Sequence, residues 1–472
     1  MPGLDWINVI GINVFGSTSL ELTSMDLKEI AVDVVRQAMA KGSSSAEAVV
    51  REGNEFSTSV RLGEVETLKE SGSRAVGVRV FLGKRSASTY SSDLSREGLE
   101  QMVDSALSLA RVTSEDPHAG LPDPSEMGKL AGDLDLYHGD IYSLSAAGRI
   151  DYARRAEHAA LSADPRIKNS EGGSFDAADG YKVLANSHGF VGDMKSSYCS
   201  VSAAPVAQGE SGGMQRDFWY SVARTLKKLD SPEEVGAEAA RRTVRRLGAR
   251  RVKTARVPVV LDPLMAQSLL GHIFEAVNGD SIYRGASFLS GKLGEQIAGS
   301  NVTVIDDGTL RGGFGTGPFD AEGTPTRRTV VIEDGILKSY LLNSYTARKL
   351  GLRTTGNASR GLAGNPGIGA GNFFLKAGSI PPQSLIANIS EGLYVTELLG
   401  FGVNLVTGDY SRGASGTWIS GGELTYPVEE ITIAGNLKDM LFNISALGND
   451  LEFRGSIAAP TLCLEGLTIA GE

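Results

Sequence analysis

The feature of this chain that most constrains its fold is the series of β-hairpin signals in its second half. TVVIEDGILKSYLL (329–342) places Asp334-Gly335 between two apolar runs, and TWISGGELTYPV (417–428) does the same with Gly421-Gly422. Such pairs readily adopt the positive φ angles that two-residue hairpin turns require. Glycine makes up 59 of the 472 residues, as expected for a chain with many turns. The pattern therefore predicts a β-rich domain over residues 254–472.

The first half of the chain mixes helical and strand patterns. Amphipathic spacing predicts helices at 25–41, 95–112 and 146–162 and one beginning at Pro232, with strands at 46–52, 55–62, 77–83, 86–91 and around 182–222. Gly53-Asn54 is interpreted as a hairpin turn, and the proline-containing segment 113–133 as a connecting loop between sub-blocks 25–112 and 134–245.

These patterns indicate an α+β protein. We expect an N-terminal α/β region with a mixed sheet and helices over 25–245. A C-terminal domain of twisted antiparallel sheets follows, a pseudo-barrel with a few helices, near 344–350 and 382–391. The glycine-rich segment 356–372 lacks a nucleotide-loop pattern and is predicted to be an extended loop. Residues 1–24 form an N-terminal extension with no lysine or arginine before their apolar patch, unlike a secretory signal.

Charge and cysteine usage argue against several classes of protein. A formal net charge of -10 opposes general binding to nucleic acid, whose phosphates attract cations. The basic run at 241–256 is interpreted as the solvent-exposed face and C-terminal end of a helix rather than a nucleic-acid patch. Cys199 and Cys463 have no metal-site spacing, and no apolar run is long enough to span a membrane. We expect a cytoplasmic protein without direct nucleic-acid contact.

The segment LLGHIFEAVNGDS (270–282) raises the question of a metal site, because His272 and Glu275 lie one helical turn apart. Asp262 and Pro263 suit the start of a helix reaching about Val277, with the apolar residues on one face and His272 on the other. A zinc peptidase helix needs two histidines and a glutamate beside the first. No register of this segment provides them, and none of the chain's five histidines has another within ten residues. Asp306-Asp307 is interpreted as part of a hairpin turn.

Several long stretches closely resemble the TldD/PmbA family of metallopeptidase-related proteins, and within it the PmbA branch, also called TldE. The resemblance rests on residues 344–362, 392–440 and 448–471, with weaker matches at 184–190, 214–236 and 285–298. It implies a cytoplasmic peptidase of two homologous subunits. The TldD-type subunit holds zinc through HExxxH on the equivalent helix and a later cysteine, whereas the PmbA-type subunit lacks these residues.

Aligning Gly279-Asp280 with the end of the family helix puts Leu270, Gly271 and Glu275 at the three degenerate HExxxH positions. The resemblance therefore implies no catalytic residue, metal or other cofactor in this chain, and zinc in a TldD-type partner. If the chain did hold zinc, ligands would be sought among His188, His272 and Glu275. Candidate residues of a peptide chamber or subunit interface are His272, Asn357, Arg360, Asp409, Tyr410, Arg412 and Trp418.

Three functional hypotheses follow. The first is a non-catalytic subunit that pairs with a TldD-type subunit in a heterodimer acting on unfolded or leader peptides. The second is a self-contained hydrolase with unrecognised catalytic residues, or a homodimer when the chain is alone. The third is a regulatory binding protein, suggested by the family's association with DNA gyrase and antitoxins.

Overall fold

The computed structural model describes residues 26–210 and 212–471. The predicted extension at 1–24 lies outside these ranges. The N-terminal half contains α1 (Leu27–Ala40), β1 (Ser45–Arg61), β2 (Glu64–Leu82), β3 (Arg85–Ser91), α2 (Arg96–Val112), α3 (Ala146–Ala163), β4 (Ile167–Asn186), β5 (Val191–Gln208), β6 (Met214–Arg216), β7 (Trp219–Ala223) and α4 (Pro232–Val244).

The C-terminal half contains more strand than helix, as the hairpin signals predict. Its elements are β8 (Ala255–Leu261), α5 (Pro263–Val277), α6 (Gly279–Tyr283), β9 (Val304–Asp307), β10 (Arg328–Glu333), β11 (Ile336–Leu337), α7 (Ser344–Leu350), β12 (Ala358–Ser359), β13 (Gly367–Ile368), β14 (Phe373–Leu375), α8 (Pro382–Ala387), β15 (Glu391–Leu399), β16 (Asp409–Ser420), β17 (Glu423–Asn436), α9 (Leu437–Phe442), β18 (Ile444–Leu447), β19 (Ile457–Ala458) and β20 (Leu462–Ala470).

The N-terminal strands form one antiparallel sheet in the order β3-β2-β1-β4-β5-β6, with β7 also paired to β5. Gly53-Asn54 is not a hairpin turn, contrary to the sequence interpretation. Both residues lie inside the 17-residue strand β1, opposite Gly180 and Asp179 of β4, and the turn comes at Leu62-Gly63 instead. Glycine at position 53 serves close packing, because a Cβ there would lie 2.5 Å from the Asp179 carbonyl oxygen.

The two faces of this sheet have different neighbours. Even-numbered residues of β1 such as Val50 and Phe56 pack in clusters that include residues of helices α1 to α4. On the opposite face, Val49 and Leu184 pack against Phe319 of the C-terminal half. Because side chains alternate along a strand, one face of the sheet is covered by helices and the other by the C-terminal domain.

A closed barrel of five strands organises the C-terminal domain. Its strands pair in the order β17-β16-β15-β8-β20, and a further pairing of β17 with β20 closes the ring. Helix α5 follows β8 and packs on this core through Leu269, Ile273 and Phe274. A second sheet, in the order β11-β10-β9-β14-β19, lies beside it. The α+β class and the barrel-like C-terminal domain are thus confirmed.

Three local predictions for this domain need correction. Asp306 and Asp307 are the last residues of the buried strand β9, so they do not form a hairpin turn. The helix expected over 382–391 ends at Ala387. Segment 356–372 is not wholly a loop, since the short strands β12 and β13 pair within it.

The helix beginning at Pro232 has the predicted Ser231 capping box, but its basic face is only partly exposed to solvent. Arg242 is buried, with Nε 3.5 Å from Asp217 Oδ2 and Nη1 3.4 Å from Asp262 Oδ2. Asp262 also caps α5 by accepting a hydrogen bond from the Met265 N–H. This ion pair therefore joins the last N-terminal helix to the start of the C-terminal helix α5.

We expect Arg242→Ala to lower the free energy of unfolding by about 3–5 kcal/mol, because it leaves the buried Asp262 carboxylate without its cation. Asp217 keeps Arg245 and Arg246, at 3.8 and 4.0 Å.

Arg241→Ala is the matched control. Its side chain is exposed and pairs with Glu238 on the helix surface, so the loss should be below about 1 kcal/mol. Denaturant unfolding of both variants measures the difference, and equal losses would contradict a structural role for the buried pair.

Within the described ranges, no helix is long and apolar enough to cross a membrane.

Candidate functional site

Helix α5 holds the positions at which the family resemblance puts a zinc motif. Leu270 is buried in the C-terminal core, and Gly271 has no side chain. Glu275 is exposed, yet the surrounding protein partly desolvates its carboxyl group and raises its pKa. The first two residues offer no ligating atom, so these positions do not fit a metal ion.

The space beside these positions is open. A Cβ built on Gly271 meets no atom within 4 Å, whereas one on Gly236, also inside a helix, would lie 2.3 Å from a backbone oxygen. Helix α5 also packs against β19, which lies in the segment 455–460 that joins directly to the last strand. The described residues contain no group of three or more His, Cys, Asp and Glu side chains arranged for metal binding.

His272, Tyr410 and Arg412 form a polar cluster beside α5, which we call the α5 cluster. The rings of His272 and Tyr410 pack edge to face, with their centroids 6.1 Å apart. Arg412 donates a hydrogen bond from Nη1 to Ser268 Oγ at 3.3 Å, which ties β16 to the helix. Three of the predicted chamber residues are thus neighbours in the structure.

The α5 cluster contains a buried polar atom without a partner. His272 Nε2 has no hydrogen-bond partner among residues 26–210 and 212–471, whereas the Tyr410 hydroxyl interacts with Arg412. Burial, together with the nearby Arg412 charge, lowers the pKa of His272. Burial also raises the pKa of Tyr410 to about 12, so both side chains are neutral near pH 7. Because an unsatisfied buried polar group is unfavourable, such an atom marks a place where a further partner would be stabilised.

Asp409 and Trp418 have local roles outside the α5 cluster. Asp409 is exposed and accepts hydrogen bonds from Thr407 and Asn436, which closes the turn before β16. Trp418 stacks on Tyr426 and donates Nε1 to Glu391 Oε2 at 2.6 Å. It lies eight residues beyond Tyr410 along β16, roughly 26 Å in an extended strand.

Asn357 and Arg360 lie elsewhere, at a cavity of about 610 Å³ between the two halves of the chain. Asn357 donates to Asp306 Oδ2 at 2.6 Å, and Gly371 N donates to Asp306 Oδ1 at 2.7 Å. Burial raises the pKa of Asp306 to about 6, although these hydrogen bonds favour its ionised form. Asp306 therefore fixes both ends of the glycine-rich segment that lines the cavity.

The cavity also contains charged residues that the sequence analysis missed. Its floor includes Arg51 of β1 and Lys182 of β4, and its other wall includes Asp320. A signal was present in YKVLA (181–185), where a lysine interrupts a strand that is apolar on both faces. Interpreting this lysine as part of a cavity required knowing that the C-terminal domain covers the second face of the sheet.

Three family models match the chain. PmbA/TldA metallopeptidase domain 1 matches residues 46–110, the central domain 139–247 and the C-terminal domain 254–471. The chain is 42% identical over 444 residues to metalloprotease PmbA of Escherichia coli O157:H7, covering 94% of this chain and 96% of that protein. It is 37% identical to a PmbA homolog of Haemophilus influenzae, covering 96% and 98%.

Solved structures share the whole fold. A candidate modulator of DNA gyrase from Bacteroides thetaiotaomicron superposes with a TM-score of 0.88 at 28% identity, covering 94% of this chain and 99% of that one. TldE from Thermococcus kodakarensis gives 0.82 at 22% identity, covering 93% and 99%, a likeness of fold. The sheet, the barrel and α5 thus define a metallopeptidase-related protein. The chain belongs to the PmbA/TldD family.

The open space beside α5 predicts opposite effects of one substitution at two helical glycines. Gly271→Ala should raise the free energy of unfolding by about 0.5–1 kcal/mol, since alanine restricts the unfolded chain and meets no clash. Gly236→Ala should lower it, because its Cβ overlaps the Ala156 carbonyl oxygen. Thermal and denaturant unfolding test the pair, and destabilisation by Gly271→Ala would show that the space is filled.

Proposed function

We propose that this chain is the non-catalytic, PmbA-type subunit of a cytoplasmic two-subunit metallopeptidase. The observation that carries the proposal is the content of α5, where Leu270 and Gly271 offer no ligand or general base. In this role a TldD-type subunit supplies the zinc and the hydrolytic residues, and the present chain completes the chamber.

The α5 cluster supports a role in that chamber. His272 lies on the same helix as the degenerate positions, and Tyr410 and Arg412 lie beside it on β16. The buried His272 Nε2 lacks a hydrogen-bond partner within the described ranges. An extended peptide carries main-chain donors and acceptors at every residue, so such groups can hold it with little dependence on sequence. Unfolded and leader peptides are the substrate class that this arrangement suits.

The first test is reconstitution. The purified chain alone should not hydrolyse an unfolded peptide. Mixing it with a TldD-type subunit from the same cell should give a heterodimer whose hydrolysis requires zinc. Size-exclusion chromatography, metal analysis and a peptide-cleavage assay measure the three properties. Stoichiometric zinc or activity in the chain alone would instead favour the self-contained hydrolase.

A second test addresses the α5 cluster. In the reconstituted complex, His272→Ala should lower kcat/KM for peptide cleavage by roughly tenfold, comparable to the loss of one hydrogen bond that also leaves a partner unpaired. His158→Ala is the matched control, because His158 is exposed on α3. Complex formation should be unchanged in both variants. Equal activity of the two would remove His272 from the chamber.

The regulatory hypothesis retains one observation in its favour, the name of the Bacteroides thetaiotaomicron structure, which refers to DNA gyrase. The net charge of -10 argues against direct contact with DNA. Salt-sensitive binding of the chain to DNA, or of gyrase to the chain, would be needed to prefer it.

A further inference from the structure

The cavity between the two halves of the chain has an arrangement of charge that the fold alone does not explain. Arg51 and Lys182 are directly opposite each other in the antiparallel pair β1–β4. Like charges at directly opposed positions destabilise a sheet. Here both residues line a half-open cavity between the two halves of the chain, so their repulsion is less screened than at a fully exposed surface.

Among the described residues, Lys182 makes no direct ion pair with an acidic side chain. Within residues 26–210 and 212–471, its ammonium group makes no ion pair within 4.0 Å and no side-chain hydrogen bond. Asp320 and Glu47, the carboxylates that raise its pKa, form their hydrogen bonds and ion pairs with other groups. Asp320 accepts hydrogen bonds from the N–H groups of Glu322, Thr324 and Ala358, while Glu47 Oε1 is shared by Arg79 and Arg360. Lys182 is partly buried at the cavity surface, so an anionic ligand that enters the cavity can reach its ammonium group and pair with it.

The remaining walls suit a ligand with peptide-like polarity. The glycine-rich roof presents main-chain groups from Gly315, Gly317, Gly356, Gly361, Gly369 and Gly371. A Cβ on Gly361 would meet no atom within 4 Å, so this part of the roof is open. Phe314, Phe319 and Tyr90 add aromatic surface. The volume of about 610 Å³ is that of a small-molecule or short-peptide site.

We propose that this cavity binds the carboxylate of a short peptide, with the Lys182 ammonium as its counter-charge and Arg51 adding positive potential. The proposal rests on the proposed peptide-handling function and assigns it a second place on the chain, apart from the α5 cluster. The carboxylate can belong to the C-terminus of the peptide or to an acidic side chain. Its binding would neutralise the like-charge pair on the cavity floor.

Binding should depend on pH because the ligand needs the charged form of Lys182. Burial, reinforced by Arg51 and Arg360 and opposed by Asp320 and Glu47, lowers the pKa of Lys182 to about 7. The burial-raised pKa values of Asp320 and Glu322 act in the same direction, because protonation of these carboxyls makes the cavity more positive. Affinity should therefore increase as pH falls from 8 to 6. An affinity that is constant over this range would overturn the proposal.

Isothermal titration calorimetry on the full chain, without a partner subunit, provides the test. Acetyl-tetraalanine as the free acid should bind, and its C-terminal amide should bind at least tenfold more weakly. An amidated peptide with one internal aspartate reports whether a side-chain carboxylate serves as well. Equal binding of the free acid and the aspartate-free amide would overturn the proposal. So would acetate or inorganic phosphate binding as tightly as the peptide.

Variants connect binding to the cavity. Lys182→Met should weaken binding of the free acid at least tenfold without lowering the Tm, since it removes the like-charge pair and keeps an apolar stem. Lys182→Arg should retain most of the affinity. Lys168→Met is the matched control, because Lys168 is exposed on the same strand. Unchanged binding by Lys182→Met would overturn the assignment. This binding assay uses the chain without a TldD-type subunit. A failure to bind the peptide can therefore be distinguished from a failure of the proposed subunit role, which the reconstitution assay tests.

Discussion

The arrangement of the two halves of the chain depends on one buried carboxylate, that of Glu47 in β1. Its Oε1 lies 2.6 Å from Arg79 Nε in the neighbouring strand and 2.6 Å from Arg360 Nη1 in the C-terminal glycine-rich segment. Glu47 is fully buried, and Arg79 and Arg360 are nearly so. Since a buried charge is tolerated only when it is paired, this group specifies one docking of the C-terminal domain on the sheet.

Close backbone approaches reinforce that docking. A Cβ on Gly77, in β2, would lie 1.7 Å from the Leu362 carbonyl oxygen. Arg51 Nη2 donates to the Arg360 carbonyl at 2.7 Å, and the Gly364 N–H donates to Ser88 Oγ at 2.7 Å. Segment 356–372 is therefore held to the sheet on one side and by Asp306 on the other. The cavity is the space that remains between these fixed points, so its shape follows from the domain junction.

In the α5 region, the interactions that hold the helix in place do not depend on the ligands of the family's zinc motif. Asp262 caps the helix, Arg242 fixes that cap, and the apolar face packs into the barrel core. None of these interactions requires a metal ligand at Leu270, Gly271 or Glu275. The helix can keep its place while the residues facing the open space change, which is why the function must be argued from those residues rather than from the fold.

The sequence by itself determined the elements whose signals are local. The hairpin turns at Asp334-Gly335 and Gly421-Gly422, the capping box at Ser231 and the amphipathic helix at 263–277 all lie where the residues predict. The absence of HExxxH, and with it the proposal of a non-catalytic subunit, also needs only the sequence. Family resemblance added the two-subunit context.

Only the tertiary structure decided which strand faces are buried and which distant residues meet. Gly53-Asn54 matches a turn pattern, yet β1 continues through it because both neighbouring strands pair with it there. Of the seven predicted chamber residues, three meet beside α5 and two lie at the interdomain cavity, which local patterns could not distinguish. From the sequence alone, Lys182 and Glu47 resemble ordinary solvent-exposed charged residues of a strand. Only the structure shows that the C-terminal domain covers their face of the sheet. Their surroundings are set by contacts between segments far apart in the chain, which period-two and helical patterns do not encode.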